Sequence, residues 1–320
     1  LMLTAADREA LRRERSSHWR FLLEREIVRW DDLIRGPQAI DASSISDPVL
    51  IRGDGQVLYT LASVVDDIEM GMTHVIRGAD HVTNSGAQIQ IFGALGAAPP
   101  ALAHHSLLVG PGGDPLSKRL GALSIEDLRE QGIEPLALLG FIARLGSSTR
   151  IEVVTDPDDL IARFDFSHFG ASPTRFDPAE LAHHSARTLH ALPHAAVAER
   201  LHALGVPDAI ALQFWAAIGS NLERLSAAAE WWALCHNGVV PEIAPEDREF
   251  VETALALLPP RPWDETTWRS WTKSVSEATG RKGRALFQPL RRALTGRDQG
   301  PEMAALMPLL QKVMHPEPDG

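Results

Sequence analysis

The order of apolar and polar positions predicts a mixed first part of the chain. Residues 4–29 are rich in Glu, Arg, Ala and Leu, and Thr4 is a suitable N-cap, so this stretch predicts a helix. Asp54-Gly55 is a turn signal between two apolar runs, and Ser85-Gly-Ala-Gln88 is a capping-box pattern that predicts a helix to about Leu95. Short apolar runs predict three strands, at residues 48–52, 57–61 and 73–77.

Helical spacing dominates the second part. A Gly- and Pro-rich stretch over residues 107–123 predicts a loop. Ser124 opens a second capping box, and residues 135–145 carry the apolar face of a helix. Further helices are predicted between about residues 178 and 315. The expected fold class is therefore an α/β layer followed by an all-α region.

Composition excludes several classes of protein. The chain has 320 residues, of which 44% are hydrophobic and 23% are charged, a typical globular balance. No apolar run approaches 18 residues, so no membrane span is predicted. The single cysteine, Cys235, excludes a disulfide framework and a cysteine-rich zinc site. The chain shows no signal-peptide pattern, and a cytoplasmic location is expected.

The net charge hides a basic segment. The chain as a whole carries −11, which argues against a nucleic-acid partner. Residues 269–297, however, hold eight Lys and Arg and only one acid, so they carry +7 and leave −18 for the other 291 residues. This segment predicts either phosphate binding or a solvated helix face paired with acidic neighbours. For at least two of the three nearby tryptophans, core packing is favoured over base stacking: Trp263, Trp268 and Trp271.

Two positions are candidates for chemistry. Arg77 lies at the end of a predicted strand, where its guanidinium could clamp a carboxylate bidentately or form a structural pair with an aspartate. Residues 116–119 bring a lysine and an arginine into a glycine-rich loop, which suits a phosphate group. Histidine pairs such as His104-His105 lack cysteine partners, so no metal site is expected.

Several motifs together resemble the class I glutamate–tRNA ligases in order and spacing. The chain carries Tyr59-Thr-Leu-Ala, Val-Val-Asp-Asp67, Met-Thr-His-Val-Ile-Arg77-Gly and Asp80-His-Val-Thr-Asn84. Leu116-Ser-Lys-Arg-Leu-Gly121 resembles the family's KMSKS loop, and Ala285-Leu-Phe-Gln-Pro-Leu-Arg-Arg-Ala-Leu-Thr-Gly296 extends the match almost to the end. The resemblance covers most of the chain.

The resemblance implies a role for each matching residue. Tyr59 and Arg77 match positions that hold L-glutamate. Asp80 and Leu116 match positions that lie at ATP. The resemblance implies that ATP, bound with Mg²⁺, is a substrate of the reaction. Lys118 also matches an ATP position, and with Ser117 and Arg119 it forms the catalytic loop. The helical region resembles the anticodon-binding part, which gives the basic residues a tRNA ligand: Arg281, Lys282, Arg284, Arg291 and Arg292.

The chain also departs from the family pattern. The HIGH motif, which lies in the first half of the family's Rossmann fold, does not occur in these 320 residues. Residues 1–46 resemble the end of the connective insertion, 47–112 the second Rossmann half, 113–193 the KMSKS and stem-contact region, and 194–320 the anticodon-binding domain. Two hypotheses follow: a monomeric ligase that charges tRNA(Glu) or tRNA(Gln), lacking an N-terminal part here, or a truncated, non-catalytic tRNA-binding module.

Overall fold

A computed structural model describes residues 4–14, 16–114, 116 and 124–315, with only the backbone of residues 5 and 12. The chain divides into two compact units. The sheet unit comprises Leu1–Leu120, Arg144–Ile151 and Ile161–Asp177. The helical unit comprises Gly121–Ala143, Glu152–Leu160 and Pro178–Gly320.

The strands are short and lie in the sheet unit. They are β1 (Trp19–Arg20), β2 (Ile27–Asp32), β3 (Gly36–Asp41), β4 (Val49–Ile51), β5 (His74–Gly78), β6 (Ala101–His105), β7 (Leu108–Val109) and β8 (Thr174–Arg175). The helices are α1 (Ala5–Glu14), α2 (Tyr59–Glu69), α3 (Val82–Ala94), α4 (Ile125–Glu130), α5 (Pro135–Ile142), α6 (Pro157–Ala162), α7 (Pro178–Ala191), α8 (His194–Ala203), α9 (Asp208–Ile218), α10 (Ala228–Asn237), α11 (Arg248–Ala256), α12 (Thr267–Thr279), α13 (Arg284–Thr295) and α14 (Met303–Leu306).

A four-stranded mixed sheet in the order β3-β2-β6-β5 organises the sheet unit. β2 and β3 form an antiparallel hairpin that turns at Gly36, whose φ of 68° suits a residue without a Cβ. β5 and β6 are parallel, and α3 makes the crossover between them. Val64 of α2 packs with Ile91 and Phe92 of α3 in a small apolar cluster. This arrangement brings β5, β6 and the starts of α2 and α3 close together.

The prediction of one helix over residues 4–29 is correct for its first part and wrong after Glu14. Thr4 does cap α1, since its Oγ1 accepts from the Asp7 N–H at 3.2 Å, but the helix ends at Glu14. Residues 27–32 form β2 instead, with Val28 and Asp32 buried on one face. Their burial has the period of a strand, which the helix-forming composition of the segment concealed.

Two further predictions about strands need correction. Val57 forms only an isolated bridge with Ile51, and α2 begins at Tyr59 where a strand was expected. No strand was predicted between residue 77 and the loop at residue 107, yet β6 follows Pro99-Pro100 and lies between β2 and β5 in the sheet. Helix α3 is present but begins at Val82, so Ser85 lies inside the helix and does not cap it.

The helical unit confirms the reading of the second part. Ser124 and Asp127 form the predicted capping box. The core buries residues of α8–α13, among them Leu201, Phe214, Trp271 and Leu290. Trp271 is 1% exposed and donates to the Ala254 carbonyl at 2.9 Å. Trp263 and Trp268 are half-buried against the same core, so core packing is confirmed for the tryptophans.

Among the described residues, no single helix is long and apolar enough to cross a membrane. One pair of helices, His194–Ala203 with Asp208–Asn221, meets the length and apolarity test only together, and the two are bent by 115°.

The helical core sets a stability prediction. Leu201 is fully buried, so Leu201→Ala leaves a cavity and should lower the free energy of unfolding by about 2–5 kcal/mol. Leu212 on α9 is 64% exposed, and Leu212→Ala should change it by less than about 0.5 kcal/mol. Urea unfolding followed by tryptophan fluorescence reports this unit, since only Trp19 and Trp30 of the eight tryptophans lie elsewhere. Equal effects of the two variants would contradict this packing.

Candidate functional site

The guanidinium of Arg77 is held at the end of β5 by neutral hydrogen-bond acceptors. Its Nη2 donates to Ser85 Oγ at 2.7 Å and to Gln88 Oε1 at 2.6 Å, both on α3. Its Nε faces His104 Nε2 on β6 at 3.4 Å. Gln88 is fixed in turn, because its Nε2 donates to Ser63 Oγ of α2 at 2.8 Å. Three elements therefore determine where the guanidinium lies.

Tyr59 completes the accessible side of this cluster. Arg77 Nη1 donates to the Tyr59 hydroxyl at 3.0 Å. The ring of His81 packs edge-on against the Tyr59 ring, with centroids 5.7 Å apart. Because the Tyr59 oxygen accepts from Arg77, its own O–H is available, and so is the second hydrogen of Nη1. Two adjacent donors can therefore meet a carboxylate, one from each side chain.

This geometry changes the predicted form of carboxylate binding. Both Nη2 hydrogens of Arg77 are used by Ser85 and Gln88, so the guanidinium does not offer a bidentate fork of its own. Nor does Arg77 form an ion pair with any residue that the structure describes, so the alternative of a structural Arg–Asp pair is not what is seen. Asp67 lines the same small pocket and interacts with Arg77 electrostatically, but it forms no ion pair with it, so an anionic ligand can still provide the direct counter-charge.

Ligand access to the cluster is from the Tyr59 side. Tyr59 is 52% exposed. Behind the guanidinium, a pocket lined by Asp67, Ser85 and Phe92 holds only about 10 Å³ of space, too little for a substrate.

A buried hydrogen-bonded pair, Asp32 and His104, lies next to the Arg77 cluster. Asp32 Oδ2 accepts from His104 Nδ1 at 2.5 Å, and both side chains are fully buried. Burial alone would raise the pKa of Asp32. Hydrogen bonds from His104 and from backbone N–H groups have a larger combined effect in the opposite direction, so the pKa lies below its usual value. Burial lowers the pKa of His104, and the positive charges of Arg77 and Arg35 add to this against the opposing effect of Asp32. His104 is therefore neutral and Asp32 ionised near neutral pH.

The predicted ATP residues lie in different situations. Asp80 is exposed on a 3₁₀ turn after β5, and its carboxylate folds back over Gly78, where a Cβ would meet Asp80 Oδ1 at 2.5 Å. Leu116 is half-buried. The three predicted catalytic residues of the loop, Ser117, Lys118 and Arg119, lie outside the described residues.

The structure adds residues that sequence reasoning missed. Ser85 and Gln88 were expected to cap a helix, but both accept from Arg77. His104 was considered only as a weak metal ligand, and Asp32, which follows the helix predicted over residues 4–29, was not singled out. The available signal was the polar residues Ser85 and Gln88, three apart on one helix face and opposite the end of a strand.

The basic segment is partly neutralised within the helical unit. Arg281 pairs with Asp247 at 2.5 Å, and Arg292 contacts Asp298 through two hydrogen bonds of 2.8 and 2.5 Å. The predicted alternative, pairing with acidic neighbours, therefore applies to these arginines. Lys282 and Arg284 are exposed and form no ion pair among the residues that the structure describes.

A surface groove lies beside α13. Its volume is about 390 Å³, and Arg284, Arg291 and the half-exposed Phe287 line it together with Gln288 and Asp298. Arg291 donates to the Pro301 carbonyl at 2.9 Å, which fixes its guanidinium beside the groove. The groove combines cationic, amide and aromatic groups. No group of three or more His, Cys, Asp or Glu side chains within the described part of the chain could hold a metal ion.

The buried histidine predicts a pH effect on stability. The pKa of His104 is lower in the folded protein than its ordinary 6.5. Its contribution to the free energy of unfolding is therefore fully present above pH 6.5. The contribution is lost as the pH falls below 6.5, because the unfolded chain then binds a proton that the folded protein does not. We expect His104→Asn to remove this part of the pH dependence, which is at most about 1.4 kcal/mol per pH unit. Urea unfolding followed by circular dichroism at pH 7 and pH 5 measures it. The exposed neighbour His105 provides the control, His105→Asn, and equal slopes in both variants would refute the role of burial.

Two protein-family models match the chain. The model described as "tRNA synthetases class I (E and Q), catalytic domain" matches residues 3–183, and the "Anticodon binding domain" model matches residues 239–315. The solved structure of a glutamate tRNA ligase from Elizabethkingia meningosepticum aligns with a TM-score of 0.77 at 22% identity, over 96% of this chain and 68% of that one. The predicted fold, a synthetase α/β layer followed by helices, is confirmed.

Curated relatives are much closer in sequence. Glutamate–tRNA ligase 1 of Roseobacter denitrificans is 59% identical over 314 residues, which are 98% of this chain and 71% of the relative. Glutamate–tRNA ligase 1 of Cereibacter sphaeroides is 55% identical over 313 residues with the same coverage. The chain therefore belongs to the glutamate–tRNA ligase family of the class I tRNA synthetases, and it spans about 71% of the length of these curated members.

Proposed function

We propose that this chain provides the glutamate-binding and tRNA-binding parts of a glutamate–tRNA ligase. The observation that carries the proposal is the pair of donors at Tyr59 and Arg77, held by neutral acceptors and open to solvent. A carboxylate between them would accept from the Tyr59 O–H and from Arg77 Nη1, and it would supply the counter-charge that Arg77 lacks.

The chemistry of the reaction decides which carboxylate this is. In the first step the α-carboxylate of glutamate attacks the α-phosphorus of ATP, the bond to pyrophosphate breaks, and glutamyl adenylate forms. In the second step a ribose hydroxyl of the tRNA 3′ end attacks the glutamyl carbonyl, and AMP leaves. Because the α-carboxylate must be available as the nucleophile, Tyr59 and Arg77 suit the side-chain carboxylate. No protein nucleophile is needed, so catalysis rests on positioning and electrostatics.

The remaining site residues follow from the family resemblance. Asp80 and Leu116 would lie at ATP, bound with Mg²⁺, and Lys118 would stabilise the phosphates with Ser117 and Arg119 beside it. We further propose the domain division at residues 46, 112 and 193, with the anticodon-binding domain over 194–320. A monomer that works in the cytoplasm is the simplest form of this proposal.

The tRNA surface is proposed from the basic segment. Lys282 and Arg284 carry exposed charge without an ion pair in the described part of the chain, so they are the strongest candidates for phosphate contacts. Arg291 lies in the same groove and would contact the tRNA beside Arg284. Arg281 and Arg292 would contribute less, because acidic neighbours compensate their charge.

Glutamate activation is tested by ATP–pyrophosphate exchange with tRNA present. The chain is joined to the part of the Roseobacter denitrificans relative that it does not span, and exchange should depend on L-glutamate and not occur with L-glutamine. Arg77→Gln should lower kcat/KM for glutamate at least about 100-fold, because a charged hydrogen bond to glutamate is lost. It should leave the KM for ATP within about twofold, because Arg77 is not proposed to contact ATP.

The exposed Arg52 provides the matched control, and Arg52→Gln should leave exchange unchanged. Glutamine-dependent exchange, or an equal loss in both variants, would contradict the proposed site. Absence of exchange together with retained tRNA binding would favour the non-catalytic tRNA-binding module instead.

Binding of tRNA is tested with the chain itself. The dissociation constant for a tRNA(Glu) transcript is measured by fluorescence anisotropy between 50 and 300 mM KCl. Lys282→Ala and Arg284→Ala should each weaken binding several-fold and reduce the slope of log K against log salt by about 1, because each removes a phosphate contact. The double variant Lys273→Gln/Glu277→Gln removes an exposed ion pair of the same segment without changing the net charge, and neither residue lines the groove, so it should leave the slope unchanged. An unchanged slope in Arg284→Ala would count against this surface.

A further inference from the structure

Asp32 makes four hydrogen bonds at the point where β2 meets β6. Its Oδ1 accepts from the backbone N–H groups of Ile34, Arg35 and His104 at 3.0–3.1 Å. Its Oδ2 accepts from His104 Nδ1 at 2.5 Å and from no other residue that the structure describes. The two oxygens therefore have separate tasks: Oδ1 fixes the turn of the β2–β3 hairpin to β6, and Oδ2 orients the histidine ring.

The contact with Oδ2 determines which ring nitrogen of His104 carries the proton. A buried ionised carboxylate accepts but cannot donate, so Nδ1 must be protonated and Nε2 must present its lone pair. Nε2 lies 2.9 Å from Ser85 Oγ and 3.4 Å from Arg77 Nε. Its single lone pair can therefore accept from Ser85 Oγ, with Arg77 Nε as a more distant second donor. Ser85 then directs its hydrogen to Nε2 at 2.9 Å rather than to the His81 carbonyl at 3.2 Å, and its oxygen accepts from Arg77 Nη2.

We propose that Asp32 is a positioning residue of the substrate site, which acts on Arg77 through His104 and Ser85. The order of donors runs in one direction, from Arg77 to Ser85, from Ser85 to His104, and from His104 to Asp32. This order supplies acceptors for Nε and Nη2 of Arg77 and leaves Nη1, beside Tyr59, for the ligand. The role of Asp32 in binding glutamate rests on the proposed function. Its effect on the His104 proton and on the position of Arg77 does not depend on that function.

The substitution Asp32→Asn isolates the task of Oδ2. The asparagine Oδ1 can still accept the three backbone N–H groups, so the hairpin keeps its attachment. The amide group that replaces Oδ2 donates instead of accepting, and the His104 proton must then move to Nε2. An N–H at Nε2 faces Arg77 Nε and gives it no acceptor, so the guanidinium loses part of its support.

Nuclear magnetic resonance of the ¹⁵N-labelled chain measures both consequences directly. In the unsubstituted protein the His104 ring should show a protonated Nδ1 and an unprotonated Nε2, and the Arg77 Nε–H should give a slowly exchanging signal. In Asp32→Asn the proton should appear on Nε2, and the Arg77 Nε–H signal should shift and exchange at least tenfold faster. The affinity for L-glutamate, titrated in the same samples, should fall about tenfold.

Two further variants separate positioning from a general loss of structure. Ser85→Ala should leave the His104 proton on Nδ1 yet weaken glutamate binding, because it removes the link without touching the hairpin. Asp31→Asn changes the exposed neighbour on the same strand and should alter neither signal nor affinity. A His104 proton on Nε2 in the unsubstituted chain would overturn the proposal, as would an unchanged Arg77 signal in Asp32→Asn. If the unsubstituted chain binds no glutamate, the proposed function fails, and the Arg77 signal alone decides the role of Asp32.

Discussion

A guanidinium that is fixed without being neutralised is the constraint on which the site depends. An arginine paired with a carboxylate would be rigid but would have little attraction for an anionic ligand. Arg77 is instead held by a hydroxyl, an amide oxygen and a neutral imidazole nitrogen. The nearest full negative charge in that chain of hydrogen bonds, on Asp32, lies beyond His104. The site is therefore rigid and still positively charged where it meets solvent.

The topology of the sheet makes this arrangement possible. β5 and β6 are parallel neighbours, so Arg77 and His104 face each other at matching positions near the ends of their strands. The crossover helix α3 returns over the sheet and brings Ser85 and Gln88 to the same place. The β2–β3 hairpin contributes Asp32 through its contact with β6. Three elements thus meet at the Arg77 side chain or beside it, and Asp32 joins them through His104.

Prediction from sequence succeeded where a signal was local and failed where the partner was distant. The Ser124 capping box and the strand that carries Arg77 depend on neighbouring residues, and both are present. Asp32 and His104 are 72 residues apart, and no local pattern links them. In the basic segment, the count of charges left phosphate binding and pairing with acidic neighbours both open, because the acidic partner of Arg281, Asp247, lies outside the segment. Net charge therefore identified the region, whereas only the structure separates the exposed cations from the paired ones.

The central claim is that Tyr59 and Arg77 together bind the side-chain carboxylate of glutamate. A crystal structure of the chain with L-glutamate tests it most directly. We expect one carboxylate oxygen within about 2.7–3.2 Å of Arg77 Nη1 and the other within a similar distance of the Tyr59 hydroxyl, with the contacts of Ser85 and Gln88 to Nη2 retained. Glutamate bound with its side-chain carboxylate away from Arg77, or an Arg77 that leaves Ser85 and Gln88 to clamp it, would contradict the account.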